Sequence, residues 1–472
     1  MCRGAFCVSM WRMNIHAQHT SLSGHIQVPG SKSHTIRALL LASLAEGVSH
    51  IANPLPSADC LSTGKALPLI GAGLDFTAPD CWTVRGAGKQ IHLPDNVVDV
   101  GNSGSLLYFL SPIAATFEGW SVFTGDESIR RRPVSHVADV LRQLGAEAYI
   151  ARPGTASCPL IIKGPIVAGR KVLTEGAVSS QYISGLMMAA LRLSGTFHIE
   201  LTNPKETPYL TMTQKWLEHI GAEVSISPDF KQIAVTAPKS LNAFDCTIPS
   251  DWEAVAFPLI AALLTDSEIV IDNVDGSGTQ GDDAIVSVFQ SLGADIEWNR
   301  QDATLTVRGG RKARNGVGRL STENLPDAEL HVNLSGYPDA ICAMAVAACF
   351  TEGTVYIEDI GVCRRKETDR IAVLTKELGK LGADVEEGAD CLVIHGHSPL
   401  AADGSANAAF ALHGAELESY DDHRVAMSLA CLGLALPAGE RLSVNHAECC
   451  AVSFPRFFEL MNGIGAGFAE SD

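Results

Sequence analysis

Basic side chains lie next to apolar runs at several places in this sequence, where they could bind anions. Lys366 and Arg370 are four residues apart, with Glu367 between them, just before an apolar segment. Arg424 follows two aspartates and a histidine at the start of another apolar run. An arginine offers phosphate or carboxylate a planar fork of donors, and a lysine offers a point charge. These positions predict a site for molecules that carry phosphate or carboxylate groups.

Two further basic segments fit the same pattern. Ser33 and Arg37 are spaced to share one face of a helix, beside Lys32. Arg132 ends a run of three arginines before Pro133, a residue type that often starts a helix. A basic run is most often a solvated surface. Here apolar helices are expected to begin two or three residues later, which favours an anion site.

Six apolar helices are the elements that would position these residues. Each is expected to begin with a polar or glycine-rich cap. The six starts are Pro29, Gly101, Ser179, Ser250, Pro338 and Asp421. Helix N-termini present unpaired N–H groups and the positive end of the helix dipole, so converging starts would bind anions even in an acidic protein. The alternative is that Ser, Asn and Asp are simply good N-caps.

A phrase built on Leu-Gly-Ala or Ile-Gly-Ala recurs six times at similar intervals. Its glycines are Gly71, Gly145, Gly221, Gly293, Gly382 and Gly465. Each phrase is typical of the end of an amphipathic helix, a glycine at its C-cap and a short strand, although the sixth lacks an obvious strand. Six units divide naturally into two groups of three. We therefore expect an α/β fold with two similar lobes, buried helices inside and sheets outside.

Composition predicts a folded protein with a large core. Of 472 residues, 46% are hydrophobic and 19% are charged, and the segments 179–193, 251–264 and 339–350 are apolar enough to be buried helices. A net charge of −18 argues against general nucleic-acid binding. No apolar run reaches the length needed to span a membrane.

The thirteen cysteines show no CxxC pair and no Cys/His cluster with metal-ligand spacing. This pattern predicts reduced thiols, a cytoplasmic protein and no zinc site. Residues 1–12 make a poor signal peptide. They are interpreted either as an N-terminal extension before Met13 or as an ordinary terminus.

Seven motifs, in this order, resemble those of the 5-enolpyruvylshikimate-3-phosphate (EPSP) synthase family of enolpyruvyl transferases. They are PGSKS at 29–33 with Arg37, GNSGS at 101–105, RRP at 131–133, SSQ at 179–181, PDA at 338–340, RxKETDR at 364–370 and DDHRVAM at 421–427. The likeness extends over nearly the whole chain, and the combination of PGSKS with KETDR is its most specific part.

The resemblance implies an enolpyruvyl transferase-like fold of two lobes. Each lobe would hold three βαβαββ repeats, and two strands would join the lobes near residues 30 and 249. Residues 1–30 and 250–472 would then form one lobe and residues 31–249 the other, with the active-site cleft between them. The repeat count from the glycine phrases agrees with this expectation.

The resemblance also implies a reaction. The enolpyruvyl group of phosphoenolpyruvate would pass to the 5-hydroxyl of shikimate 3-phosphate with release of phosphate, a step towards chorismate and the aromatic amino acids. The hydroxyl attacks carbon 2 while carbon 3 is protonated, and the same carbon loses a proton as phosphate leaves. This chemistry needs acid/base groups and several cations, but no metal or organic cofactor. Its partners would be the two small substrates, and the enzyme would be a monomer.

Site residues follow from the resemblance motif by motif. The catalytic residues would be Asp339, which takes the hydroxyl proton, Glu367, which moves the proton at carbon 3, and Lys32. Substrates would be bound by Lys32, Ser33, Arg37, Gly104, Arg132, Ser179, Ser180, Gln181, Asp339, Lys366, Arg370 and Arg424. Both carboxylates, placed between cations, should have strongly perturbed pKa values.

The resemblance divides these residues between the two substrates. Lys32, Ser33 and Arg37 would hold shikimate 3-phosphate, and Lys32 would also touch phosphoenolpyruvate. The segment 179–181 would hold the phosphate and ring of shikimate 3-phosphate. Gly104 would let phosphoenolpyruvate approach the backbone. The arginines that would bind phosphoenolpyruvate are Arg132, Arg370 and Arg424. Lys366 would bridge the substrate and stabilise the carboxylate charges.

Four positions depart from the family pattern. Tyr108 stands where the family usually has Arg, and Val362 where it usually has Asn. Glu206 replaces a Ser on the substrate side, and Val452 replaces a Lys expected at phosphoenolpyruvate. The last change removes a cation from a pocket for a trianion, and Arg456 is a candidate replacement.

Two other functions stay open at this point. The first is a paralogue that performs enolpyruvyl or elimination chemistry on another cyclic acid, which the change at Glu206 would motivate. The second is a catalytically silent binding protein on the same fold. Asp339 and Glu367 are both present, and neither is needed merely to hold phosphate, which weighs against the silent protein.

Overall fold

The structure, a computed structural model, describes residues 13–471. The interpretation of residues 1–12 as an extension or a terminus lies outside the described residues. In the described part of the chain, the buried hydrophobic side chains form two cores. Core A contains buried residues between Ile36 and Ile248. Core B combines residues 15–28 with residues 252–468.

The helices and strands alternate along the described chain. The α-helices are α1 (Lys32–Leu44), α2 (Ala58–Ala66), α3 (Gly104–Ala114), α4 (Ser135–Gln143), α5 (Ser180–Ala189), α6 (Thr207–His219), α7 (Trp252–Leu263), α8 (Ile285–Ser291), α9 (Ile341–Cys349), α10 (Arg370–Gly379), α11 (His423–Gly433) and α12 (Phe457–Gly463). The strands are β1 (Asn14–Gln18), β2 (Ser23–Gln27), β3 (Glu46–Ala52), β4 (Gly73–Asp75), β5 (Cys81–Ala87), β6 (Val98–Asp99), β7 (Gly119–Thr124), β8 (Glu147–Ile150), β9 (Leu160–Gly164), β10 (Lys171–Glu175), β11 (Thr196–Thr202), β12 (Glu223–Ile226), β13 (Gln232–Thr236), β14 (Cys246–Thr247), β15 (Glu268–Asp272), β16 (Asp295–Asn299), β17 (Thr304–Arg308), β18 (Leu320–Ser321), β19 (Glu329–Asn333), β20 (Thr351–Glu358), β21 (Asp384–Glu387), β22 (Cys391–Gly396), β23 (Glu416–Glu418), β24 (Arg441–Asn445) and β25 (Ala469–Ser471).

Six sheets with the same strand topology surround the two cores. At core A the strand orders are β14-β3-β5-β4, β6-β7-β9-β8 and β10-β11-β13-β12. At core B they are β16-β17-β15-β2, β18-β20-β22-β21 and β23-β24-β1-β25, with β19 also pairing with β20. In each order one end is a parallel pair and the remaining neighbours are antiparallel. The same topology six times confirms the six repeats predicted from the glycine phrases, three for each core.

The six phrase glycines end their helices as predicted. Each has a positive φ, between 85° at Gly382 and 103° at Gly465, a backbone conformation that glycine adopts without steric cost. A short strand follows each of them: β4, β8, β12, β16, β21 and β25. The sixth phrase, where no strand is obvious in the sequence, is followed by β25, which pairs with β1. Three residues are too few for an alternating pattern to be recognised.

The N-terminal segment belongs to core B through strand pairing. Strand β2 pairs in parallel with β15, from Ser23 opposite Glu268 to Gln27 opposite Asp272. The chain then crosses to core A and returns beside the same point. The Ser31 amide donates to the Pro249 carbonyl at 2.7 Å, and the neighbouring pair Gly30 and Ser250 forms an antiparallel bridge.

Six central helices are buried almost along their whole length. They are α1, α3 and α5 in core A and α7, α9 and α11 in core B. The segments 179–193, 251–264 and 339–350 contain α5, α7 and α9, which confirms their prediction as buried helices. No helix among residues 13–471 is both long and apolar enough to cross a bilayer.

Candidate active site

The starts of the central helices lie where side chains of the two cores meet. Four starts have a true side-chain N-cap, at Ser103, Ser179, Asp251 and Asp422. The N-cap interpretation is therefore confirmed at these four starts. The caps also lie beside the cations described below, and anion binding there stays a prediction. Arg132 of the core A half reaches Glu367 of the core B half, with 2.7 Å between Nη2 and Oε1.

Arg370 connects the carboxylates of the site. Its side chain is fully buried at the start of α10. Its Nε donates to Asp422 at 2.8 Å and its Nη2 donates to Glu367 at 2.7 Å. Its Nη1 donates to Asp339. Burial would lower the pKa of Arg370, but these three carboxylates raise it well above the usual range, so the guanidinium stays charged.

The two carboxylates predicted to transfer protons are held in the charged form. Burial alone would raise the pKa of Asp339, but Lys366, Arg424 and Arg370 hold it well below its usual range. Burial also opposes ionisation of Glu367, and Arg132 and Arg370 outweigh it, so its pKa is lowered as well. This confirms the sequence prediction that both pKa values are strongly perturbed.

Two more cations reach the same place from opposite cores. Lys32 begins α1, and its Nζ lies 3.6 Å from Asp59 in a buried ion pair. Arg424 is the second residue of α11 and donates to Glu253, while its Nε lies 3.5 Å from Asp339. Carboxylates of the protein thus neutralise the site's cations, so the local field is more balanced than the basic motifs alone suggest.

A narrow cavity lies between the starts of α1, α5 and α9. It holds about 30 Å³ and is lined by Lys32, Ser33, Arg37, Ser105, Phe109, Ser180, Gln181, Glu206, Tyr209, Glu253, Asp339 and Lys366. Buried Arg37 donates to Thr213 at 2.9 Å and to the Ser33 carbonyl at 3.0 Å. Burial lowers the pKa of Arg37 to about 9, because these partners are uncharged.

A wider cavity of about 800 Å³ opens on the other side of Glu367. Its lining includes the basic side chains Arg131, Arg132, Arg364, Arg365 and Lys366. Gly104 lies against Arg132, one of the lining residues, and a Cβ added to Gly104 would come within 2.5 Å of the Arg132 guanidinium. Glycine at this position therefore leaves room for Arg132, in addition to any approach of a ligand to the backbone.

Three of the four departures from the family pattern line one further cavity of about 220 Å³. These are Tyr108, Glu206 and Val362, which lie there with Ser179, Gln181 and Lys366. The Tyr108 hydroxyl donates to the Pro133 carbonyl at 2.9 Å, so it fixes the segment that carries Arg132. The departures are therefore neighbours in space, although they are far apart in the sequence.

The cation that is missing at Val452, the fourth departure, is not replaced by Arg456. The Arg456 guanidinium donates to Glu459 three residues along, and both side chains are about two-thirds exposed. The hypothesis that Arg456 supplies the missing cation was wrong, because the adjacent Glu459 captures its side chain on the surface. The cavity beside Arg132 contains Arg131, which belongs to the arginine run seen in the sequence, and Arg365, which sequence reasoning did not single out.

The structure brings the predicted site residues together between the cores. Three acidic partners of the cations were missed: Asp59, Glu253 and Asp422. Two acidic neighbours were missed as well: Asp251, which accepts from the backbone N–H of Lys32, and Asp282, which accepts from the Tyr209 hydroxyl. Glu253 could have been found, because it lies one residue inside the helix that begins after Asp251. His423, which had a plausible context in the sequence, is buried without a hydrogen-bond partner for either ring nitrogen in the described part of the chain. Burial and Arg424 lower its pKa to about 3.

His136 in the 220 Å³ cavity makes folding stability depend on pH. Burial and Arg365 lower its pKa from 6.5 to about 4, whereas the unfolded chain binds the proton near pH 6.5. Stability is therefore lost as pH falls from 6.5 towards 4, by about 2 kcal/mol at pH 5. We expect His136→Phe, which preserves the ring packing against Tyr108 and Tyr182, to reduce this loss.

Urea unfolding at pH 7 and pH 5 measures the difference. His198→Phe is the matched control, because His198 is exposed on β11. The control should keep the wild-type difference between the two pH values. An equal difference in His136→Phe and wild type would contradict this assignment.

Among the described residues, no group of three or more His, Cys, Asp or Glu side chains is placed to hold a metal ion.

The chain matches the family model described as EPSP synthase (3-phosphoshikimate 1-carboxyvinyltransferase) over residues 16–461. A protein of Ruminiclostridium cellulolyticum named 3-phosphoshikimate 1-carboxyvinyltransferase is 36% identical over 453 residues, which cover 96% of this chain and 99% of that protein. A protein of the same name from Methanocaldococcus jannaschii is 34% identical, over 94% of this chain and 96% of that protein.

Solved structures show the same likeness. EPSP synthase from Acinetobacter baumannii has a TM-score of 0.78 and 25% identity, over 98% of this chain and all of that one. The enolpyruvyl transferase NikO from Streptomyces tendae has a TM-score of 0.73 at 16% identity, over 98% of this chain and 99% of that one, which shows the shared fold. The family-model match and the identity over nearly the full length agree with the arrangement of the site. The chain is thus a member of the EPSP synthase family.

Proposed function

We propose that this protein transfers the enolpyruvyl group of phosphoenolpyruvate to the 5-hydroxyl of shikimate 3-phosphate and releases phosphate. The observation that carries the proposal is that one buried arginine, Arg370, holds both Asp339 and Glu367 where the two cores meet. A site that merely bound phosphate would not need two carboxylates among its cations. Membership of the EPSP synthase family supports the same reaction.

Binding of phosphoenolpyruvate would prepare the acid/base groups. Its phosphate and carboxylate would compete with Glu367 for Arg132 and Arg370, which now hold that side chain. Once the ligand takes up these positive charges, the pKa of Glu367 would rise towards the range in which a carboxyl group can both give and take a proton. The substrate itself would thereby switch Glu367 from a structural ion pair to a proton carrier.

The two carboxylates would serve different atoms. Asp339 borders the narrow cavity with Lys32 and Ser33, so it would accept the proton of the attacking hydroxyl. Glu367 borders the wide cavity, so it would protonate carbon 3 during addition and remove a proton there during elimination. Lys32, Lys366 and Arg424 would stabilise the negative charge that the tetrahedral adduct carries.

The proposed binding residues fall into the same two groups. Shikimate 3-phosphate would be held in and around the narrow cavity, where Ser33, Arg37, Ser180, Gln181 and Lys366 line one space. Ser179 lines the adjoining cavity. Phosphoenolpyruvate would lie beside Gly104, held by Arg132, Arg370 and Arg424.

We further propose that residues 1–30 with 250–472, and residues 31–249, act as two lobes that close over the substrates. The two separate cores and the paired crossing strands at Ser31 and Pro249 support these boundaries. Closure would exclude water from the charged cleft, which strengthens each electrostatic interaction there.

We propose a monomer that works in the cytoplasm. Both sides of the site come from this one chain, which supports a monomer. The eleven cysteines among residues 13–471 are all unpaired, as expected in a reducing compartment.

One observation favours a second candidate function, the transfer to another cyclic acid. Tyr108, Glu206 and Val362 line a single cavity beside the segment 179–181. Substitutions that converge on one part of a pocket change which substituent fits there. The acceptor would then differ from shikimate 3-phosphate in the substituent that faces this cavity. The carboxylates and arginines of the site would perform the same chemistry on it.

Phosphate release measures both candidates. The protein is mixed with phosphoenolpyruvate in three parallel samples. One contains shikimate 3-phosphate, one contains shikimate and one contains no acceptor. The proposed function predicts rapid release with shikimate 3-phosphate only. Release with shikimate alone would favour the second candidate, and release without any acceptor would contradict both.

A further inference from the structure

Glu206 fills an anion site with a carboxylate of the protein itself. The backbone N–H and the hydroxyl of Ser180 both donate to its Oε2 at 2.9 Å, at the start of α5. Lys366 donates to its Oε1, also at 2.9 Å. A helix start, a hydroxyl and an ammonium group are donors that any oxyanion would use. The bound carboxylate shows that these three donors converge tightly enough to hold one.

Glu206 has an unusual backbone conformation. Its φ and ψ are 50° and 36°, in the left-handed region that non-glycine residues rarely adopt. Its amide donates to the Ser335 carbonyl at 3.0 Å, and its side chain is buried at the start of α6. Ser180 belongs to the core A half, whereas Ser335 and Lys366 belong to the core B half. Glu206 thus links the two halves through an anion site.

We propose that Glu206 is an internal competitor for the phosphate of the acceptor, and that it lowers the affinity for phosphorylated acceptors. The inference rests on the proposed function, because it takes shikimate 3-phosphate as the acceptor. Ser180, Gln181, Glu206 and Lys366 line the same narrow cavity. An acceptor phosphate that reached Ser180 and Lys366 would meet the Glu206 carboxylate on the same donors.

Competition from Glu206 weakens the binding of an acceptor phosphate. A tethered carboxylate loses no translational freedom when it binds, so it competes at a high effective concentration. A phosphate dianion that bound beside it without displacing it would meet an adjacent like charge in a poorly solvated place. In either case the acceptor phosphate binds more weakly than it would to the same donors without Glu206. An acceptor that lacks the phosphate would not compete with Glu206 for these donors.

Titration calorimetry with four proteins tests the inference: wild type, Glu206→Gln, Glu206→Ser and Glu206→Asp. The probes are shikimate 3-phosphate, inorganic phosphate and shikimate. Glutamine has the size of glutamate without its charge, serine removes the competing group, and aspartate retains the charge and tolerates the left-handed backbone. We expect the glutamine and serine variants to bind shikimate 3-phosphate at least tenfold more tightly, and inorganic phosphate more tightly as well. The aspartate variant and all shikimate affinities should change less than threefold.

A matched control separates competition from lobe linkage. Lys205, the preceding residue, forms an ion pair with Asp359 of the other half. Lys205→Ala removes a neighbouring link between the halves without touching Ser180 or Lys366. It should leave the affinity for phosphate unchanged. An equal gain in affinity in Lys205→Ala would overturn the inference, because loosening of the halves would then explain the result.

Each outcome separates this inference from the proposed function. Unchanged or weaker binding of both phosphate probes in Glu206→Gln and Glu206→Ser overturns the inference, even if the wild type turns over shikimate 3-phosphate. Tighter phosphate binding in these variants, without turnover of shikimate 3-phosphate by any protein, supports the inference and contradicts the proposed function. Thermal unfolding of each variant confirms that it is folded, and Glu206→Gln keeps the test valid if the smaller side chains fail to fold.

Discussion

Glu367→Gln should lower kcat by about 10³-fold, the loss expected when a group that transfers protons in both steps of a reaction is removed. Glutamine retains the size of Glu367 and can still accept a hydrogen bond from Arg132 or Arg370, so the site should keep its shape. Glutamine cannot protonate carbon 3 or remove its proton. Steady-state rates of phosphate release, with both substrates saturating, measure the effect.

Binding measurements show whether the loss is chemical. Glu367→Gln should bind shikimate 3-phosphate within a few-fold of the wild type, because Glu367 borders the wide cavity rather than the narrow one. Glu459→Gln is the control, since Glu459 is also paired with an arginine, at an exposed position. It should keep full activity. A kcat within tenfold of the wild type in Glu367→Gln would contradict the assigned role.

Arg370→Met should cost both stability and activity. Methionine fills much of the space of Arg370 but leaves Asp339, Glu367 and Asp422 without their shared cation in a buried place. Removal of one partner from a buried ion network destabilises a protein by about 3–5 kcal/mol. Urea unfolding at neutral pH should show a loss of this size, and phosphate release should become undetectable.

The lysine variant and a surface variant test the explanation. Arg370→Lys keeps the charge but not the planar fork that contacts three carboxylates, so it should regain stability more than activity. Arg311→Met removes an exposed arginine that pairs with Asp266, and it should cost far less stability than Arg370→Met. A loss in Arg370→Met no larger than that of Arg311→Met would show that the network does not hold the site together.

Local patterns were sufficient to predict the repeats and the buried helices. A glycine at a helix C-cap and a run of apolar residues both depend on residues that are close together in the chain. Both can therefore be recognised in the sequence. Strand β25 was missed because three residues give no alternation. The pairing of β1 with β24 and β2 with β15 links distant segments, and the resemblance rather than any local pattern placed the N-terminal segment with the second half.

The site was predictable in its cations and less so in its carboxylates. Basic residues at helix starts stand out against apolar surroundings, as Arg370 and Arg424 do. Acidic residues are frequent in this chain, and no local signal indicates that Asp59 faces Lys32 or that Glu206 faces Lys366. Such pairs depend on how the two cores meet. For the same reason the sequence could list Tyr108, Glu206 and Val362 as departures but could not place them in one cavity.

Carbon-13 NMR with phosphoenolpyruvate labelled at carbon 2 tests the central claim most directly, that one cleft binds both substrates and joins them. Purified protein, labelled phosphoenolpyruvate and shikimate 3-phosphate are combined, and inorganic phosphate is measured in the same sample. The account predicts a new enol-ether signal that grows in a one-to-one ratio with phosphate and requires both substrates. Phosphate that appears with labelled pyruvate instead of the enol ether, or no change in either signal, would contradict it.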